Sequence, residues 1–76
     1  MEKIYEILEN IRPEFDFRHS ADFIEDGFLD SFDVVSLVSD LESEYDCLID
    51  ALDILPENFN TIDNIIAVVK KNGGSI

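Results

Sequence analysis

Apolar residues recur at helical spacing at the start of the chain. Positions i, i+3, i+4 and i+7 form one face of a helix, and here they are occupied by Ile4, Ile7, Leu8 and Ile11. Pro13 disfavours helical geometry in the residue before it. The pattern therefore predicts a first helix over about residues 2–11.

The clearest helical pattern covers about residues 31–46. Its apolar face is formed by Val34, Leu37, Val38, Leu41 and Tyr45. Asp30 directly precedes the pattern, where an aspartate side chain commonly accepts a backbone N–H of the first turn. We therefore predict a second helix with Asp30 as its N-cap.

A third helix is predicted near the end of the chain. Thr61 is well placed as its N-cap, and the helix should stop at Asn72 and Gly73. Its apolar face is formed by Ile62, Ile65, Ile66 and Val69. The connector before it, "DCLIDALDILPENFN", contains Pro56 and permits at most a short helical turn.

Residues 13–30 fit neither a helix nor a strand. Gly27 is suited to a positive φ angle, yet the segment has too many apolar residues for a solvated linker, and we expect several of them to pack on the core: Phe15, Phe17, Phe23, Ile24, Phe28 and Leu29. The chain is thus predicted to be a single all-α domain over residues 1–76. We expect a small four-helix bundle, with three main helices, one short helix and a long loop between the first two helices.

Charge restricts the class of partner. The chain has five basic and eighteen acidic residues, which gives a net charge of −13, and residues 19–69 contain no Lys or Arg. Such a surface repels nucleic acid phosphates and anionic lipids but suits basic protein surfaces. Apolar runs fall far short of the roughly 20 residues that span a membrane. We expect a monomer that neither binds nucleic acid nor inserts into membranes.

The compartment is predicted from two further features. The N-terminal segment contains acidic residues and lacks the cationic start and apolar core of a signal peptide. Cys47 is the single cysteine, so it cannot form an internal disulfide. We therefore expect a cytoplasmic protein, with Cys47 in the core or half-buried.

Ser31 combines three features. It begins the second helix, it follows Asp30, and the Gly27 turn precedes it. One interpretation is that Asp30 or Ser31 simply caps the helix. The other is that a phosphate ester on Ser31 would lie at the positive end of the helix dipole, beside unpaired N–H groups. Catalysis by Ser31 is not expected, because the single histidine, His19, is remote in sequence.

The stretch "DGFLDSFDVVSLVSDLESEYD" resembles the serine loop and recognition helix of acyl carrier and peptidyl carrier proteins. The likeness extends through "ILPENFNTIDNIIAVVKK" and over nearly the whole chain. It implies that Ser31, next to Asp30, accepts a 4′-phosphopantetheine arm from coenzyme A, which makes the chain a phosphoprotein. The thiol of the arm would carry an acyl or aminoacyl thioester, so the protein would be a substrate carrier and not an enzyme.

The resemblance also implies partners and a docking surface. The partners would be a phosphopantetheinyl transferase, a loading ligase, and a downstream acyltransferase or synthase, each with a basic docking surface. By analogy, the surface contains a small apolar patch, the serines of the recognition face, and acids available to a partner's Arg or Lys: Phe32, Val35 and Ile54; Ser36 and Ser39; Asp33, Asp40, Glu44 and Asp53. A core position for Phe32 is the alternative.

The residue after Ser31 distinguishes this chain from most of the family. Leu is commonest there, whereas "DSF" is similar to the motif of D-alanyl carrier proteins of teichoic acid modification and of assorted stand-alone carriers. Ser36 and Ser39 also differ from the acid and the large apolar residue usual in fatty-acid carriers. These differences count against a fatty-acid pathway.

Two alternatives remain at this stage. The first is a calcium-binding domain without a prosthetic group, because the positions from Asp22 to Asp33 match part of an EF-hand calcium loop, with acidic residues at positions 1, 5, 9 and 12 and Gly27 at position 6. Ile24 stands at position 3, where a ligand is required, and we predict no metal site. The second alternative is an acidic helical interaction module without a prosthetic group.

Overall fold

The computed structural model describes residues 2–75, which form three α-helices and no strands. We label the helices α1 (Glu2–Ile11), α2 (Ser31–Tyr45) and α3 (Ile62–Lys71). Three short 3₁₀ helices lie between them, at Phe17–His19, Ala51–Asp53 and Pro56–Asn58. The predicted all-α class is confirmed. None of the helices in residues 2–75 has the length and apolarity to cross a membrane.

The predicted four-helix description is not confirmed. Where a short fourth helix was expected, the connector forms two 3₁₀ helices of three residues each, separated by Ile54 and Leu55. Pro56 has no N–H to continue a helix, and it also disfavours the α conformation of Leu55, whose φ and ψ are −125° and 144°. The two turns therefore cannot join into one α-helix.

The predicted helix ends agree closely with the structure. Asp30 caps α2, and the side chain of Thr61 accepts the N–H of Asn64 at 3.1 Å to cap α3. Helix α2 ends at Tyr45, one residue before the predicted end, because Asp46 adopts a left-handed conformation with φ of 50°. Local capping interactions thus set the positions of both helices.

The apolar faces of the three helices meet in one core. The side chains with no measurable exposure include Ile4 and Leu8 from α1, Leu37 and Leu41 from α2, and Ile65 and Val69 from α3. Phe59, from the connector, is equally buried. The helical spacing of these residues places them on the inner side of each helix, as predicted.

The long loop between α1 and α2 is held on the core by aromatic packing. The rings of Phe15 and Phe28 stack with centroids 4.5 Å apart, and the ring of Phe17 meets those of Phe23 and Phe28 edge to face. Phe17, Phe23 and Leu29 are buried, and the other apolar residues of the loop pack against the core. The expected packing of this loop is confirmed, and it fixes the path of the chain into α2.

Candidate functional site

Ser31 is the first residue of α2, and it is exposed to solvent. Capping is performed by its neighbours. The Asp33 N–H donates to Asp30 Oδ1 at 2.8 Å, and the Asp30 N–H donates to Asp33 Oδ2 at 3.2 Å, which makes a reciprocal capping box. Because two aspartates cap the helix, the Ser31 hydroxyl is not required for this task.

A tight turn delivers the chain to Asp30. The N–H groups of Phe28 and Leu29 both donate to the carbonyl oxygen of Phe23, at 2.9 and 3.1 Å. Gly27 has a φ of +76°, in the left-handed region that residues with a Cβ atom rarely adopt. The predicted glycine turn is therefore present, and it leads directly to the exposed start of α2.

The two aspartates beside Ser31 share one cation. Arg12 Nε donates to Asp33 Oδ2 at 2.9 Å, and Arg12 Nη2 lies 3.7 Å from Asp30 Oδ2. The bond to Asp33 raises the pKa of the Arg12 guanidinium. The Asp33 N–H lowers the pKa of the Asp30 carboxyl, and the charge of Arg12 lowers this pKa further.

The prediction that Asp33 is available to a partner is wrong. Asp33 is buried, and its carboxylate is bonded to Arg12 and to the backbone at Asp30. The family resemblance suggested an available acid at this position. The sequence could not show that Arg12 binds it, because Arg12 lies 21 residues earlier in the chain.

An exposed apolar patch adjoins Ser31 on α2. The side chain of Phe32 is 76% exposed and that of Val35 is 62% exposed. The alternative core position for Phe32 is therefore wrong. Farther along the same helix, Ser36 is half-buried, while the other residues predicted to contact partners are exposed: Ser39, Asp40 and Glu44. The outer side of α2 thus presents an apolar start followed by acids.

The remaining two predicted docking residues are less accessible. Ile54 is half-buried against the core. Asp53 is buried, and its carboxylate accepts Lys71 Nζ at 2.8 Å and Asn72 Nδ2 at 3.2 Å. The expectation that Asp53 is available to a partner's Arg or Lys is therefore wrong, because residues at the end of α3 already bind it.

Sequence reasoning missed three exposed apolar side chains in the connector. Leu48 and Leu52 are each 82% exposed, and Leu55 is 43% exposed. Their only signal in the sequence was the presence of leucines between acidic residues. The contacts of Arg12 with Asp33 and Asp30 were also not predicted, because no local sequence pattern indicates them.

The arrangement of the acidic loop does not fit an EF-hand. Asp22 Oδ1 accepts the backbone N–H groups of Ile24 and Glu25, and Asp22 Oδ2 accepts Asn60 Nδ2. Asp33, at the last ligand position of the pattern, is bonded to Arg12. Within residues 2–75, no group of three or more His, Cys, Asp or Glu side chains is arranged to hold a metal ion.

Curated relatives match nearly the whole chain. A D-alanyl carrier protein of Lactococcus lactis subsp. cremoris (strain MG1363) is 32% identical over 72 residues, which cover 92% of this chain and 91% of that protein. A D-alanyl carrier protein of Lactococcus lactis subsp. lactis (strain IL1403) is 31% identical over the same coverage. No family model matches the chain, and no solved structure matches it.

Proposed function

Because the chain belongs to the carrier protein family that includes the D-alanyl carrier proteins, we propose that it bears 4′-phosphopantetheine on Ser31 and carries D-alanine as a thioester. It acts as a substrate carrier and not as an enzyme. The observation that supports this proposal is the position of Ser31: it is exposed at the first residue of α2, while Asp30 and Asp33 perform the capping.

Attachment of the arm requires little from the carrier beyond a presented hydroxyl. The Ser31 oxygen bonds to the pantetheine-linked phosphorus of coenzyme A, the bond from that phosphorus to the bridging oxygen breaks, and adenosine 3′,5′-bisphosphate leaves. The serine proton passes to a base of the transferase, which also supplies Mg²⁺. The phosphodiester would lie at the positive end of the α2 dipole, which favours an anion.

The chemistry of the arm defines the carrier role. When attached, the group supplies a thiol that holds an acyl or aminoacyl residue as a thioester. For D-alanine, a ligase would join the amino acid to AMP from ATP with release of pyrophosphate, and then transfer the aminoacyl group to the thiol with release of AMP. The names of the relatives and Phe32 after Ser31 favour D-alanine over a fatty acid.

Partner enzymes would dock on the exposed side of α2. Phe32 and Val35 supply apolar area beside the prosthetic group, and Asp40 and Glu44 attract basic residues of a transferase, ligase or acyltransferase. We propose that Ser36 and Ser39 of α2 and the half-buried Ile54 of the connector also contribute to this surface. A small apolar patch followed by acids on one helix suits partners that must bind and release in turn. We propose that the carrier is a monomer in the cytoplasm, the compartment in which partner enzymes that use coenzyme A and ATP operate.

Mass spectrometry tests the attachment site. After incubation with coenzyme A, Mg²⁺ and a broad-specificity phosphopantetheinyl transferase, the wild-type mass should increase by one phosphopantetheine. Ser31→Ala should fold and stay unmodified, whereas Ser43→Ala, a change of an exposed serine on the same helix outside the proposed docking surface, should be modified. Modification of Ser31→Ala would refute the site, and an unmodified wild type would favour the acidic interaction module.

A second measurement tests the cargo. The modified carrier is incubated with ATP, a D-alanine-activating ligase and either D-alanine or L-alanine. Hydroxylamine-sensitive loading with D-alanine should exceed loading with L-alanine. A fatty acyl chain loaded in preference by a fatty-acid ligase, with no D-alanine thioester formed, would contradict the proposed cargo while leaving the attachment site intact.

A further inference from the structure

Arg12 links the end of α1 to the start of α2. Its N–H donates to the carbonyl oxygen of Leu8 at 3.0 Å, which continues the hydrogen bonding of α1 by one residue. Its side chain reaches Asp33 at 2.9 Å and Asp30 at 3.7 Å. The guanidinium therefore contacts both carboxylates that flank the exposed serine.

Other cations do not replace this contact. Residues 19–69 contain no Lys or Arg. Among the ion pairs of residues 2–75, Lys3 binds Glu6, Arg18 binds Glu2 and Glu9, and Lys71 binds Asp53. Within the described part of the chain, only the ion pairs of Arg12 involve the acids beside Ser31.

The charge of Arg12 matters for the chemistry at Ser31. Modification brings an anionic pyrophosphate to Ser31, which follows Asp30 and precedes Asp33 in the first turn of α2. Like charges a few ångströms apart repel each other, and the repulsion is stronger near a protein surface than in bulk water. A guanidinium bound to both carboxylates offsets this repulsion and also limits the motion of the first turn.

Building on the proposed attachment of the arm to Ser31, we propose that Arg12 is a positioning residue for this reaction. It holds Asp30 and Asp33 in the geometry that presents the hydroxyl, and it offsets their charge as the anionic donor approaches. Arg12 does not contact the reacting atoms itself, and it acts on them through the two aspartates.

The kinetics of modification test this role, with Arg18 as the matched control. Arg12 pairs with Glu14 at 3.7 Å as well as with Asp30 and Asp33. Arg18 likewise pairs with more than one carboxylate, but its partners are Glu2 and Glu9 on α1. The value of kcat/KM for each apo-carrier is measured with coenzyme A, Mg²⁺ and transferase, well below the Tm of every variant. Arg12→Gln should lower kcat/KM about 5-fold, the effect of losing about 1 kcal/mol of transition-state stabilisation. Arg18→Gln should leave it unchanged.

Two additional comparisons separate positioning from a purely structural contribution. Arg12→Lys keeps the charge but not the planar fork, so it should restore part of the loss. The loss in Arg12→Gln should also shrink at high salt, because screening weakens the repulsion that Arg12 offsets. Equal kcat/KM for Arg12→Gln and wild type, or an equal loss in Arg18→Gln, would overturn the proposal.

Nuclear magnetic resonance provides a readout that does not depend on the transferase. In apo-protein, the carboxyl carbon of Asp30 should titrate at a higher pH in Arg12→Gln than in wild type, and at the wild-type pH in Arg18→Gln. An unchanged Asp30 titration in Arg12→Gln would refute the contact. If the wild type accepts no arm, the proposed function fails as well, whereas a modified wild type with equally fast Arg12→Gln refutes the role of Arg12 alone.

Discussion

Lys71 Nζ donates to Asp53 Oδ1 at 2.8 Å, and this ion pair fastens the end of α3 to the 3₁₀ helix Ala51–Asp53. Asn72 strengthens the junction, because its Nδ2 donates to Asp53 Oδ2 and its Oδ1 accepts the N–H of Asp50. The connector that carries Leu52 and Ile54 is therefore anchored by polar contacts, with little regular helix of its own.

The Asp53 junction should make stability depend on pH in the acid range. The hydrogen bonds from Lys71 and then Asn72 lower the pKa of the Asp53 carboxyl in the folded state. The Asp53 carboxyl therefore binds a proton more tightly in the unfolded chain than in the folded protein. The contribution of the junction to the free energy of unfolding is complete above the unfolded carboxyl pKa of about 3.9. It is lost as the pH falls through the lower folded value.

Thermal unfolding of Asp53→Asn measures this contribution. The variant should have a lower Tm than wild type at pH 7, and its Tm should fall less than that of wild type between about pH 5 and pH 2. Asp40→Asn, an exposed change on α2, serves as the control and should follow the wild-type curve. Parallel curves for Asp53→Asn and wild type would show that the junction contributes no pH dependence.

Truncation of two phenylalanines to alanine should have very different effects on stability. Phe17 has no exposed surface, so Phe17→Ala should lower the free energy of unfolding by about 3–5 kcal/mol. Phe32 is 76% exposed, and Phe32→Ala should change the free energy of unfolding by less than about 0.5 kcal/mol. Urea unfolding followed by circular dichroism gives both values. A comparable loss in the two variants would mean that Phe32 packs in the core in solution.

The cap of α3 should contribute measurably to stability. The Thr61 hydroxyl accepts the N–H of Asn64, and loss of such a cap costs about 1 kcal/mol. Thr61→Ala should therefore unfold at a lower urea concentration than wild type, whereas Thr61→Ser, which keeps the oxygen, should stay close to wild type. Equal destabilisation by both variants would assign the effect to the lost methyl group instead.

The exposed patch beside Ser31 should matter for loading. Phe32→Ala should raise the KM of a D-alanine-activating ligase for the modified carrier about 5-fold or more, as expected for an interface residue that contributes over 1 kcal/mol. Leu48→Ala is the control, because Leu48 is as exposed but follows the far end of α2, a helix about 22 Å long.

This comparison has a clear contrary result. An unchanged KM for Phe32→Ala together with a raised KM for Leu48→Ala would move the docking surface to the connector. Modification by the transferase should be measured for both variants first, so that loading is compared at equal occupancy of the arm.

Local sequence was sufficient to predict the three main helices and the position of Ser31 at the start of α2. Apolar residues three and four positions apart share a face of a helix, and caps such as Asp30 and Thr61 act within three residues. Because these interactions span one or two turns, the sequence indicates them directly. The number of apolar residues in the first loop, too high for a solvated linker, predicted that several of them pack on the core.

Only the tertiary structure decided which acids are available. The amino-acid sequence by itself determined three helices, a strongly acidic surface, and a serine at the start of α2. It could not distinguish Asp33 and Asp53 from Asp40, because their partners Arg12 and Lys71 lie 21 and 18 residues away. Such pairs form only when packing of the helices brings distant side chains together, and no local period records them.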